Sequence, residues 1–150
     1  MRLVRDNAQR TGRRIGMVVA DAVLPPLRQV DVVLLDVPCT GTGTLRRHPD
    51  GRWRLFPRSV DDMSAVQRRM LDASAELVPP GGLLIYSTCS LEPEENAQQV
   101  SAFLGRWPDY RLEATDAVSG GFRDAVGHFQ VLPQETGFDG AFAARLRRAA

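Results

Sequence analysis

Two apolar runs in this chain end alike, each handing a cysteine to the turn that follows it. The first is Asp31-Val32-Val33-Leu34-Leu35-Asp36, continued by Val37-Pro38-Cys39-Thr40-Gly41-Thr42-Gly43. Its β-branched and aliphatic residues are continuous rather than alternating, the pattern of a strand buried on both faces of a parallel sheet. The strand ends near Asp36, and the proline and glycines after it turn the chain sharply away. A carboxylate and a thiol therefore stand at the C-terminal end of a strand, where open α/β sheets bind their ligands. The second run, Leu83 to Thr88, follows the helix stop Pro79-Pro80-Gly81-Gly82 and delivers Cys89-Ser90 in the same place. A helix-period segment separates the two, so strand, helix and strand make one right-handed parallel crossover. Neighbouring strands lie about 4.8 Å apart, which predicts that Cys39, Cys89 and Asp36 share one cleft.

With 150 residues, 43% of them hydrophobic, the chain has the length and the apolar content for a single core. Its two cysteines match neither a disulfide framework nor zinc-ligand spacing, so free thiols in a reducing compartment and no metal are expected. No apolar run is long enough to cross a membrane, and the arginine-rich opening lacks a signal peptide's apolar region, which makes a cytoplasmic location the default. A net charge of +1 does not by itself announce a polyanion partner. Every basic residue other than histidine is an arginine, however, and Arg46, Arg47, Arg52, Arg54 and Arg58 crowd one short segment. Arginine presents a planar fork to phosphate and stacks on bases, so this segment is a candidate nucleic-acid contact beside the plainer reading of a solvated loop.

Taken in order, Met1 to Arg10 has helical spacing at Leu3, Val4 and Ala8, with Gly12 as its C-terminal cap. Gly16 to Ala20 is expected as the first strand, leaving Asp21 at a strand's C-terminal end or, more plainly, on a surface turn. Leu45 to Pro57 is an arginine-rich loop in which Trp53 is expected to pack inward as an anchor. Ser59 and Asp62 resemble a capping box ahead of the stripe Val60, Met63, Val66, Met70 and Leu77. Glu92-Pro93-Glu94-Glu95 suits a helix start rather than a metal site, since proline and carboxylates favour the first turn. The next helix buries Val100, Phe103, Leu104 and Trp107, and Tyr110 opens a short strand. Gly120 to Gly127 has the composition of a mobile loop, and His128 has no evident partner. Phe129–Leu132 and Gly140–Leu146 suggest a closing antiparallel pair, and Arg145, Arg147 and Arg148 are expected to face solvent and phosphate.

With both cysteine motifs in view, the chain resembles the Sun/Fmu/NOP family of RNA (cytosine-5) methyltransferases. The resemblance rests on Asp36-Val37-Pro38-Cys39-Thr40-Gly41-Thr42-Gly43 and on Ser87-Thr88-Cys89-Ser90-Leu91-Glu92-Pro93-Glu94-Glu95-Asn96. It extends through Arg47-His48-Pro49-Asp50, Trp53, Gln67 and the stretch from Gly137 to Arg145, covering nearly the whole chain. It implies an α/β fold: a Rossmann-like class I methyltransferase sheet, truncated at its N-terminal side, mostly parallel with an antiparallel C-terminal strand. Residues 1–150 would form a partial S-adenosylmethionine-dependent methyltransferase domain.

The chemistry that the resemblance implies needs two thiols. Carbon 5 of cytosine is a poor nucleophile until a thiolate adds at carbon 6. By resemblance Cys89 is that nucleophile, and Cys39 assists breakdown of the adduct. Asp36 holds the cytosine edge and lies against the methionine end of S-adenosylmethionine, and Asp21 lies near its adenine. The implied partner is ribosomal RNA, favoured over transfer RNA, with the target base turned out of its stack. Family members carry an earlier strand, a Gly-rich cofactor loop and a second strand, none of which precedes Met1. The chain is therefore expected to be a C-terminal fragment that binds S-adenosylmethionine poorly and is inactive alone. Oligomeric state stays open, although exposed sheet edges would invite association. Two competitors are a non-catalytic RNA-binding remnant and a dithiol redox protein; redox cysteines usually sit close in sequence at a helix start, and these do not. An amino-group methyltransferase is disfavoured, because Asp36-Val37-Pro38-Cys39 replaces the Asn/Asp-Pro-Pro-aromatic motif.

Overall fold

The computed structural model describes residues 2–114, 117 and 120–150. Helix α1 spans Arg2–Arg10 and is followed by Gly12, whose φ of 65° is the left-handed conformation of a helix stop. None of its residues is buried, so its apolar stripe stands in solvent. The strand expected at Gly16–Ala20 does not form. The segment is irregular, and Val18 and Val19 are 57% and 80% exposed. A strand is stabilised by what it pairs with and packs on, and β propensity alone does not hold one here.

Strand β1 (Val32–Asp36), helix α2 (Ser59–Ala75) and strand β2 (Leu83–Thr88) form the expected strand–helix–strand unit. The two strands pair in parallel from Val32↔Leu83 to Asp36↔Ser87, which brings their C-terminal ends level. Helix α3 (Ala97–Arg106), β3 (Tyr110–Leu112), β4 (Phe129–Val131), α4 (Pro133–Thr136) and β5 (Ala141–Arg148) complete the order. β5 runs antiparallel to β2 along one edge and to β3 and β4 along the other. Four strands therefore point one way and the C-terminal strand points back, as the sequence implied.

Alternation along β5 turns Phe142, Ala144 and Leu146 into the core, where they join Leu84 and Tyr86 of β2 with Leu71, Ala75, Val100 and Phe103 of the two helices. Each leucine, valine and phenylalanine among them contributes about 1.5–3 kcal/mol on burial. β1 departs from its expected burial on both faces. Leu35 is buried, whereas Val32 and Leu34 on the opposite face are 56% and 67% exposed. A continuous apolar run signals that two faces are suited to cover, and among the described residues only the Leu35 face has it.

Three other expectations are corrected. Ser59 does not cap α2: Arg58 before it is already in helical conformation, and the Ser59 hydroxyl accepts the Phe56 N–H at 2.9 Å instead. The C-terminal arginines are not free for phosphate. The β3–β5 ladder sets acids beside them, so Arg145 and Arg147 share Glu113 at 2.5 and 2.7 Å and Arg148 holds Asp109 at 2.7 Å. Those hydrogen bonds, from Arg147 first and then Arg145, hold the Glu113 carboxyl down at about 2. His128 is buried and bonded through Nδ1 to Asp124 Oδ2 at 2.7 Å. Asp124 Oδ1 meanwhile accepts the N–H groups of Val126, Gly127 and His128, a tight turn within the stretch expected to be mobile.

Candidate active site

The parallel register of β1 and β2 carries both cysteines past the same edge of the sheet, and their sulfurs meet at 3.3 Å. Both thiols are partly exposed and free. Burial first, and then the hydrogen bond with Cys89, pushes the Cys39 thiol up to about 12. Cys39 therefore keeps its proton at neutral pH, and either sulfur can donate the hydrogen bond that joins the pair. The Gly-rich turn is needed for this closeness. Gly43 donates its N–H to the Cys89 carbonyl at 3.0 Å, and a Cβ on it would come within 2.6 Å of that oxygen and 2.8 Å of Gly140 Cα.

Beneath the thiols lies a carboxylate that the sequence reading assigned only to a helix start. Glu95 is fully buried. Its Oε1 accepts the Thr40 N–H at 2.9 Å and the Gln67 amide at 2.8 Å. Its Oε2 accepts the Ser90 hydroxyl at 2.5 Å and also the Thr40 hydroxyl. Gln67 gives its other amide bond to the Pro38 carbonyl at 3.0 Å. Asn96 completes the frame, accepting the Thr88 hydroxyl at 2.6 Å and donating to the Ser90 carbonyl at 2.9 Å. Each cysteine is thus held through both chain neighbours. Tyr86 closes the network from β2, donating to the Glu95 carbonyl at 2.6 Å, and burial followed by the Glu95 charge raises its phenol's pKa. One signal of this frame was present in the sequence. Gln67 interrupts the apolar stripe of α2 between Val66 and Met70, and a buried amide requires partners.

Both candidate cofactor acids are exposed to solvent, Asp36 at the C-terminal end of β1 and Asp21 at a turn. Asp36 accepts the Ser87 hydroxyl at 2.9 Å through Oδ1, and Asp21 accepts the Val23 N–H at 2.9 Å through Oδ1. Neither Oδ2 has a partner among the described residues. An ammonium and an exocyclic amine, the donors that S-adenosylmethionine offers, fit such oxygens. Asp21 also borders a groove of about 230 Å³ with Val18, Ala20, Leu34 and Leu77, apolar enough for an aromatic ring. The residues present therefore fit the cofactor in donor–acceptor chemistry, on the open side of the sheet. No group of histidine, cysteine and acidic residues suited to a metal ion occurs among the described residues.

The arginine segment is on the surface, as expected. Arg47 pairs with Asp139 at 3.1 Å, Arg54 with Asp50 at 2.7 Å and Arg58 with Asp62 at 3.5 Å, while Arg46 and Arg52 are exposed. Trp53 corrects its expectation: it is 75% exposed, with the Arg52 guanidinium 4.7 Å from its ring centroid. The 3₁₀ turn Pro49–Arg54 closes on Leu45, 3.1 Å from where a Gly51 Cβ would sit, and leaves the indole outside.

A sequence profile described as 16S rRNA methyltransferase RsmB/F matches residues 1–147. The chain belongs to this family. Ribosomal RNA small subunit methyltransferase B of Vibrio cholerae is 41% identical over 155 residues, which cover 99% of this chain and 33% of that protein. The chain spans about a third of the length of the curated relatives it matches. Among solved structures, PH0851 superposes with a TM-score of 0.89 at 34% identity, over 98% of this chain and 34% of that one. NSun6 from Pyrococcus horikoshii, solved with SFG, gives 0.86 at 28% identity, over 99% and 38%. The sheet is accordingly the class I methyltransferase sheet that the motifs implied.

Proposed function

We propose that this chain carries the thiol pair and the substrate-edge acid of an S-adenosylmethionine-dependent RNA cytosine-5 methyltransferase acting on small-subunit ribosomal RNA. The observation that carries this reading is the 3.3 Å meeting of Cys39 and Cys89 at the C-terminal ends of adjacent parallel strands. The Cys89 sulfur adds to carbon 6 of an extruded cytosine, and Asp36 takes the base edge through its free oxygen. Addition pushes the ring electrons toward carbon 5. S-adenosylmethionine, when bound, supplies the methyl group for that carbon. Cys39 then assists elimination, the carbon 5 proton passing to solvent water as the Cys89 sulfur departs with the electron pair of its bond to carbon 6 and the ring double bond returns. Asp21 and Asp36 would hold the cofactor's amine and ammonium, and Arg46, Arg47, Arg52, Arg54 and Arg58 contact the RNA. The relatives' names and the RsmB/F family support ribosomal RNA over transfer RNA. The NSun6 structure with the S-adenosylmethionine analogue SFG supports the cofactor.

We further propose that these 150 residues alone bind S-adenosylmethionine weakly, since both acids stand in solvent; tight one-to-one binding by calorimetric titration would refute this. The nucleophile has a test that needs no cofactor. Reversible addition of Cys89 to carbon 6 makes carbon 5 basic enough to take a deuteron from solvent and then release its own proton. Incubation of small-subunit ribosomal RNA with the chain in heavy water is expected to exchange hydrogen 5 of cytosine, and Cys89→Ala to abolish the exchange. Undiminished exchange in Cys89→Ala would remove Cys89 from the mechanism. The sulfur contact also favours a second reading, a dithiol redox cycle. Intact-mass analysis under mild peroxide decides it: a reversible loss of two hydrogens that changes no RNA reaction would support that cycle over methylation.

A further inference from the structure

We infer that Glu95 is a positioning residue: its buried carboxylate clamps the Cys39 loop to the Cys89 loop and so sets the distance between the two thiols. The inference rests on the proposed role of the thiol pair, but its geometry stands without it. Thr40 follows Cys39 and gives Glu95 both its N–H and its hydroxyl. Ser90 follows Cys89 and gives its hydroxyl at 2.5 Å. One carboxylate therefore joins the residues that directly follow both cysteines, while the backbone bonds between the loops lie to either side, Val37 N–H to the Ser87 carbonyl at 3.1 Å and Gly43 N–H to the Cys89 carbonyl at 3.0 Å. Other ties also cross, the Leu91 N–H reaching the Thr42 hydroxyl at 2.9 Å and the Ser90 hydroxyl lying 3.2 Å from that of Thr40 and 3.3 Å from that of Thr42. Gln67 reaches Pro38 before Cys39, and Asn96 reaches Thr88 and Ser90 around Cys89. The carboxylate is the acceptor on which the residues after both cysteines converge.

The chemistry of a carboxylate suits this role. It accepts only, so all its lone pairs are available to donors arriving from two loops. Four donors compensate a charge that a buried site would otherwise expel. A merely space-filling residue would not need them. Ionised acceptors also make the stronger hydrogen bonds, so the loops are held at fixed separation rather than loosely docked.

Bridging of the two thiols by the azo oxidant diamide tests the inference in the whole chain. Diamide takes two electrons and two protons, becoming its hydrazine, as Cys39 and Cys89 form one S–S bond. The rate depends on how often the sulfurs are in contact. Glu95→Ala is expected to slow intramolecular bridging about tenfold, the order of effect that lost orientation has on a proximity-driven reaction. Phe103→Leu, in the core away from the clamp, is expected to lower the melting temperature and leave the bridging rate unchanged, which separates positioning from general loosening. Glu95→Gln, which keeps an acceptor oxygen and the size, is expected to bridge faster than Glu95→Ala. Wild-type bridging in Glu95→Ala, or equal slowing in Phe103→Leu, would overturn the inference. Should Glu95→Ala not fold, Ser90→Ala carries the test, with slowed bridging expected and an unchanged rate overturning it. Because no RNA enters the assay, failure of the methyltransferase reading would leave its result intact.

Discussion

The thiol cradle and the flank from Arg13 to Leu34 end in opposite states, and the more apolar of the two sequences is the one left open. In the cradle, Pro38, Thr40, Thr88 and Ser90 are tied to Gln67, Glu95 and Asn96, and Leu84 and Tyr86 beneath them have no exposed surface. In the flank, Ile15, Val18, Val19, Leu24, Leu27 and Leu34 all stand in solvent. The difference is not composition but closure. The cradle's partners arrive from α2, β2 and the turn before α3, whereas the flank's apolar side chains face nothing comparable among the described residues. Propensity proposes an element, and packing decides whether it exists.

Matched substitutions sharpen the contrast most. At Gly43 an added Cβ meets backbone at 2.6 and 2.8 Å, atoms that no side-chain rotation relieves. Gly43→Ala is expected to destabilise by about 3 kcal/mol, the upper range of overpacking. At Gly16 nothing lies within 4 Å, and Gly16→Ala is expected to stay within about 0.5 kcal/mol. Urea denaturation of the two variants measures both, and equal costs would erase the distinction between a closed cradle and an open flank.

A smaller effect separates the same regions by chemistry. Tyr86→Phe removes a buried hydroxyl that donates to the Glu95 carbonyl at 2.6 Å and contacts Gln67 Oε1 at 3.2 Å. Leaving those acceptors unmet is expected to cost about 2 kcal/mol. Leu34→Gln on the open face of β1 is expected to change stability by less than about 0.5 kcal/mol. A large loss in Leu34→Gln would show that this face is covered in solution.

These contrasts also explain which parts of the structure the sequence revealed. Period, caps and strand-end cysteines are local signals, and from them the β1–α2–β2 unit, the α3 face, the β4–β5 pair and the meeting of Cys39 with Cys89 were all legible. The strand at Gly16–Ala20 was misread because pattern reports suitability for a ladder, not the ladder's presence. Glu95 was misread because a carboxylate after Glu92-Pro93 satisfies the helix-start rule equally well whether it faces water or four donors. Trp53 was misread for the converse reason, since an indole's size argues for burial while the 3₁₀ turn Pro49–Arg54 sets it on the exposed side. Arg145, Arg147 and Arg148 looked free because Glu113 and Asp109 become their neighbours only across a ladder. In each case the missing information was tertiary.

The smallest expected effect is on pH dependence, and it singles out the cradle. Cys39 goes from an ordinary 9.0 to about 12 in the folded chain, chiefly through burial and then through its bond to Cys89. The folded state therefore holds this proton more tightly than the unfolded state does. Its contribution to stability is complete below about pH 9 and is lost as pH rises toward about 12, because the unfolded thiol ionises first. Tyr110, raised to about 12 chiefly by burial, adds a decline of the same sign from about pH 10. Comparison of a variant with the wild type removes that shared part. Under reducing conditions, urea midpoints taken at about pH 8 and about pH 10.5 should fall further for the wild type than for Cys39→Ser. A hydroxyl does not ionise in this window, so the difference between the two falls reports Cys39 together with its contact to Cys89. Identical falls would mean that the thiol is as solvated as it is in the unfolded chain, and the loops around Cys39 would then be open rather than clamped.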